Sequence, residues 1–363
     1  MSRHPWFDNV RFLAVLLVVL GHAIAPLMHE AHLVRGLYAW IYAFHMPLFV
    51  FISGHLARSM DFTPRRLRGL LTGVLVPYLV FDAAYSLLHH YVTDSGPPLS
   101  PLDPAFLTWF LLSLFCWRLT APFWRVIRYP VVVSVVIAVL AGLTDLSGPF
   151  DWPRTFYFLP FFVMGLFTSP KRLQILRRRA FGLAAAALMG IALMVAYVAS
   201  PHMSMGWFLT ESYDGLGVSP WAGMGMRLVL IGCATVMSCA FMALVPRRRL
   251  WITGMGAFTI YAYLLHGFPR SLGVKLGWYD VFDHNPLGIV ALAVGSLLFG
   301  ALLMTPPVRA LFRPLVEPAW PARLITLPAE EKPQAAAPAD PSPPPPPASP
   351  ARELEWSGRR WAG

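Results

Sequence analysis

The 363-residue chain is 56% hydrophobic and only 13% charged, with a mean hydropathy of +0.56. A soluble domain carries about 25% charged residues, so a water-soluble globular protein is excluded. The net charge of +11 does not signal nucleic acid, because the basic residues sit in short clusters between apolar stretches.

The 25 Phe and 13 Trp require burial, which rules out wholesale disorder despite 35 Pro and 27 Gly. Cys116, Cys233 and Cys239 are too few for a disulfide scaffold, and no Cys/His spacing suits zinc. A membrane helix needs roughly 20 apolar residues. Ten stretches qualify: 9–28, 38–56, 69–90, 105–119, 129–148, 155–169, 179–200, 222–245, 250–268 and 286–306. The first is read as a retained span rather than a signal peptide. The fourth and sixth are short enough to be tilted, broken or re-entrant.

The charges fix a direction. With the N-terminus inside, the inner segments carry Arg58, Arg65, Arg66 and Arg68, then Arg125 and Arg128, then Lys171, Arg172, Arg177 and Arg178, then Arg247 to Arg249. Arg118 and Arg179 lie at adjoining helix ends. The outer loops hold Arg35, Arg270 and Lys275 against Glu30, Asp94, Asp103, Asp145, Asp151, Glu211, Asp214, Asp280 and Asp283. This alternation predicts an all-α polytopic membrane protein of ten spans with both termini cytoplasmic, in the cell membrane of a bacterium. The chain divides into a transmembrane domain over 1–306, a juxtamembrane segment over 307–327, and a tail over 328–363. Ten prolines between 328 and 350 make that tail a disordered cytoplasmic segment, either padding or a partner site.

Ionisable groups inside spans are costly and mark function. On the first span, Arg11 and His22 are eleven residues apart, about 1100° of rotation, so they share one face about 16 Å apart along the axis. Asp8, three residues before Arg11, can pair with it. The stripe suits a donor with an anionic head at the cytoplasmic end and a reactive end reaching into the membrane. His45 on the second span reaches a similar depth, so two imidazoles can face one cavity, and Pro47 leaves a carbonyl one turn back unpaired and a kink expected. Asp82 is a lone buried acid, fit to orient a His or pair with an Arg. Arg154, Arg227 and His266 lie toward the outer side as interface anchors or substrate contacts. Trp109 fits an interfacial anchor or an acceptor contact.

These residues resemble the acyltransferase-3 family of integral-membrane O-acyltransferases, in its fucose 4-O-acetylase-like branch. The resemblance rests on WFDNVRFLAVLLVVLGH with its basic-x10-His spacing, FHMPLFVFISGH, TWFLLSLFCWRL, RTFYFLPFFVMGLF and YAYLLHGF, spanning about residues 5–306. It implies transfer of an acyl group, commonly acetyl, from an acyl-CoA donor to a hydroxyl of a carbohydrate or other exported or envelope molecule. No permanently bound cofactor or metal is implied. His22 matches the family's essential first-helix His and Arg11 its basic partner, while His45 matches a position that is often polar. The expected site is therefore His22 and His45 for catalysis, Asp8 and Arg11 for the donor, and Asp82, Trp109, Arg154, Arg227 and His266 for the acceptor. The competing class is a multi-pass transporter of a small polar solute, for which inverted repeats are expected and none is visible.

Overall fold

The computed structural model describes residues 5–93, 100–146, 148–176, 178, 180–282, 285–318 and 320. The Pro-rich tail over 328–363, and Asp94, Arg177, Arg179 and Asp283, lie outside them. No strand occurs among the described residues. The helices are α1 (Pro5–Ile24), α2 (His32–Tyr42), α3 (His45–Leu56), α4 (Pro64–Leu70), α5 (Val76–Thr93), α6 (Trp109–Trp124), α7 (Pro130–Leu140) and α8 (Trp152–Phe167). After these come α9 (Pro170–Ile175), α10 (Ala180–Ala199), α11 (Gly206–Leu209), α12 (Pro220–Leu244), α13 (Thr259–Leu265), α14 (Gly267–Lys275), α15 (Pro286–Leu302) and α16 (Pro306–Val316). Proline opens several of these, including α4, α7, α9 and α12, where its missing N–H is no loss. Ser169, Ser219 and Asn285 cap α9, α12 and α15 through their side chains.

The bundle is inside-out relative to a soluble protein. Leu183, Ile191, Val195 and Val198 on α10, and Leu287, Val290, Val294 and Leu298 on α15, are exposed at helical spacing, whereas Asp8, Asn9, His45, Asp82, Arg227 and His266 are buried. A bilayer demands that arrangement. The protein is a polytopic membrane protein.

Five helical stretches are long and apolar enough to cross: Pro5–Leu27, His32–Ser59, Pro64–Thr93, Phe181–His202 and Pro220–Leu244. A sixth is formed if α15 and α16 count together across their 71° bend. The other stretches read from the sequence are helical but short. The 16-residue α6 and α8 span about 24 Å, less than the ~30 Å hydrocarbon core, and the stretch 250–268 is divided into a 3-10 run over Trp251–Phe258, then α13 and α14. The second stretch begins earlier than its hydropathy suggests, at His32, and breaks at Ala43–Phe44, where Pro47 cannot donate to the Ala43 carbonyl. A π-helical turn over Leu71–Leu75 joins α4 to α5, and the juxtamembrane segment contributes α16.

The tightest crossing is between α3 and α8, where two glycines remove the side chains that would hold the backbones apart. A Cβ on Gly54 would strike the Phe162 carbonyl, and one on Gly165 the Phe51 carbonyl. In the same way Gly256 lets the 3-10 run touch the backbone of Asp8, which pins the start of α1.

Candidate active site

The site grows from the inward stripe of α1. Asp8 lies at its first turn with Arg11 Nη1 3.6 Å from the Asp8 carboxylate, and His22 sits about three turns beyond Arg11. His22 Nδ1 lies 2.7 Å from His266 Nε2, with the ring centroids 5.0 Å apart and the planes within 5° of each other. His266 Nδ1 is 2.9 Å from the Ala262 carbonyl, one turn earlier on α13. A carbonyl only accepts, so His266 carries its proton on Nδ1. Its Nε2 is then, in the neutral ring, a lone pair that accepts from His22 Nδ1–H. The chain of bonds leaves His22 Nε2 unprotonated, the state a general base needs.

His45 is set by the break before α3. With Phe44 out of helical geometry, the Ile41 carbonyl accepts His45 Nδ1–H at 2.8 Å, so His45 too presents Nε2 as its acceptor. The Tyr42 ring stands 6.1 Å from the His22 ring and 4.7 Å from the His45 ring, filling the corner between them.

His22 and His45 line one chamber of about 310 Å³, together with Trp109, Arg154, Phe106 and Arg270. Arg154 is ion-paired to Asp151 and lies 5.5 Å over the Trp109 ring, so the two predicted acceptor contacts form one unit. Phe106, at a left-handed φ of 54°, holds its ring 5.3 Å from His22. That backbone state is uncommon for a bulky residue and is fixed by its surroundings. A second cavity of about 180 Å³ is lined by Arg11, Arg118, Ser53 and Thr259. Val18, Met46, Phe110 and Tyr263 line both cavities and form the shared boundary, or neck, between them. Tyr263 is tied there by its hydroxyl, which donates to the Leu107 carbonyl.

Three expected acceptor residues, Asp82, Arg227 and His266, do not line the chamber. Asp82 is outside both cavities and accepts from Ala105 N at 2.8 Å and Thr108 Oγ1 at 2.7 Å. It anchors the loop that carries Phe106 and leads into Trp109. Arg227 donates to the Ala138 and Glu211 carbonyls at 3.3 and 3.0 Å and lies between the Tyr157 and Tyr213 rings, bracing α12 against α7 and α8. His266 stands behind His22 and orients it. Arg118, Arg270, Tyr42 and Phe106 are the site residues that sequence reasoning missed. Arg270 follows His266 by four residues, a spacing that signals a shared face; Arg118 read only as a helix-end charge. Among the described residues no group of three or more His, Cys, Asp or Glu is arranged to hold a metal ion.

The role of Asp82 is testable. Asp82→Ala strands the Ala105 N–H, while Thr108 Oγ1 can still donate to the Ala105 carbonyl at 2.8 Å, and should destabilise the fold by about 1–3 kcal/mol, with a parallel fall in acyl transfer as Phe106 and Trp109 lose their positions. Asp82→Asn keeps an Oδ1 acceptor and should retain most of both. Thermal unfolding in detergent beside transfer kinetics checks this; a raised acceptor KM with unchanged stability would instead put Asp82 on the substrate.

The acyltransferase domain family model matches residues 4–305. The nodulation protein NolL of Sinorhizobium fredii (strain NBRC 101917 / NGR234) is 25% identical over 332 residues, covering 83% of this chain and 87% of NolL. No solved structure matches. With the match running through α1, the chamber and the neck to the end of α15, this chain belongs to the acyltransferase-3 family and is a membrane O-acyltransferase.

Proposed function

We propose that the protein moves an acyl group, acetyl in the simplest case, from acyl-CoA in the inner cavity to a hydroxyl of a carbohydrate or other exported or envelope molecule in the outer chamber. The observation that carries this reading is the shared boundary: a cation-lined cavity adjoins the chamber of His22, whose Nε2 is free to take a proton. A donor held through its phosphates near Arg11, backed by Asp8, reaches His22 about 16 Å along α1 with its thioester.

His22 Nε2 removes the hydroxyl proton as the acceptor oxygen bonds to the thioester carbonyl carbon. The tetrahedral oxyanion is stabilised by Arg270, a chamber cation whose buried Nε has no hydrogen-bond partner among the described residues. Collapse breaks the carbon–sulfur bond, and the thiolate takes the proton back from His22. His266 holds the His22 ring in the required tautomer and shares the charge of the imidazolium. Because the donor cavity borders the chamber in which His22 stands, the acceptor hydroxyl attacks the thioester directly, with no acyl-enzyme.

The same reading places the protein in a bacterial cytoplasmic membrane with ten spans and both termini inside. It is supported by the gathering of basic segments at one end of the bundle. Asn9 bonds the Pro246 and Arg248 carbonyls, Arg125 bonds those of Arg58 and Met60, and His55 Nδ1 bonds that of Thr168. At the opposite end Arg35 bonds the Ser200 carbonyl and Lys275 that of Tyr91. Reporter fusions at 62, 174 and 248 should therefore report cytoplasm, and those at 97, 148 and 212 the outside. A swapped pair removes or adds a span.

The function is tested by mass spectrometry of envelope glycans and exported metabolites from a deletion strain and its parent. Loss of one acetyl mass from a defined molecule, restored by the wild-type gene, supports the reading and names the acceptor. An unchanged acyl pattern with lost uptake or efflux of a solute supports the transporter.

A further inference from the structure

Arg118 is the unexplained cation of the inner cavity. On α6, Phe110, Leu114 and Arg118 follow at four-residue intervals and line that cavity from the neck downward. Eight residues of helix put Arg118 about 12 Å from the neck, and seven residues of α1 put Arg11 about 10 Å from Val18 at the same neck. The two guanidinium groups thus line one cavity from different helices at closely similar depth. Arg11 has Asp8 at 3.6 Å. Arg118 has no comparable carboxylate among the described residues, and its Nε is buried without a hydrogen-bond partner. A cation held like this costs free energy unless an anion completes it.

We infer that Arg118 and Arg11 form a two-armed clamp for the phosphates of the acyl-CoA donor, with Arg118 as a donor-binding residue in its own right. The inference rests on the acyl-CoA reading above and adds to it the second cation. A guanidinium pairs phosphate oxygens through two parallel N–H bonds, and two such groups on different helices match a diphosphate better than either alone. The cavity above the clamp, with Ser53 and Thr259 among otherwise apolar walls, suits an amide-bearing pantetheine arm running to the neck.

The test uses the purified full chain in phosphatidylcholine nanodiscs, with CoA and pantetheine as probes. Pantetheine has the thiol arm and none of the phosphates. Arg118→Gln should weaken CoA binding about 10- to 100-fold, as expected for lost charge-assisted bonds to phosphate, and leave pantetheine binding unchanged. Arg118→Lys, which keeps the charge without the fork, should fall between the two. Equal losses for CoA and pantetheine would mean that Arg118 holds the fold, and unchanged CoA binding would mean that it touches no donor; either overturns the inference. A loss that appears only when phosphatidylglycerol is added to the nanodiscs would assign Arg118 to a lipid headgroup and also overturn it. Wild-type protein that binds neither probe would sink the acyl-CoA reading itself, an outcome distinct from wild-type CoA binding that ignores Arg118.

Discussion

His22→Ala is expected to lower acyl transfer by at least ~10²-fold, the usual scale for a missing general base, while CoA still binds. The separation follows from geometry, since His22 lies beyond the neck from the cavity that holds Arg11 and Arg118. His266→Ala removes only the group that orients His22, so its loss should be smaller. The double substitution should cost little more than His22→Ala alone, because the two rings act as one unit. Rates with a fixed donor and acceptor, beside CoA affinity for each variant, check all three. Additive losses would mean that His266 acts independently of His22.

The second large effect concerns folding. Gly165→Val forces a branched side chain into the backbone of α3 at Phe51, where even a single Cβ has no room. Overpacking costs typically about 1–3 kcal/mol, and contact with backbone rather than a flexible side chain puts this variant at or above the top of that range. Folded protein in the membrane fraction should fall sharply, and Gly54→Val should do the same from the other side of the crossing. Gly190→Ala on α10, with nothing within 4 Å of its Cβ position, is the control. It should be neutral or gain up to about 1 kcal/mol from helix propensity. Normal abundance of Gly165→Val would mean that α3 and α8 do not cross as closely as described.

The features legible in the sequence are those that one helix determines by itself. The Arg11–His22 stripe, the Asp8 pairing and the break one turn before Pro47 all follow from spacing along a single segment, and all are present. Hydropathy also identified a polytopic membrane protein, but it measures composition, so it could not separate the full-length helices from the short α6 and α8 or the divided 250–268 stretch. Pairings between distant helices were not legible. The partner of His22 is 244 residues away, and nothing local in YAYLLHGF says which ring it meets. Arg118 looked like one more positive charge at a helix end, and only packing turns it into the cavity. Asp82 and Arg227 illustrate the converse: buried charge suggested substrate, but neither lines the chamber; Asp82 accepts from Ala105 N and Thr108 Oγ1, and Arg227 donates to the Ala138 and Glu211 carbonyls while its Nε has no hydrogen-bond partner among the described residues.

The central claim, that His22 performs acyl transfer on a donor held by a separate cation-lined cavity, is tested most directly with labelled acetyl-CoA and purified protein in nanodiscs supplied with an envelope glycan extract. The account predicts label in the glycan fraction with wild type, CoA binding without transfer for His22→Ala, and weakened CoA binding for Arg11→Ala. Loss of CoA binding in His22→Ala with normal binding in Arg11→Ala would contradict it.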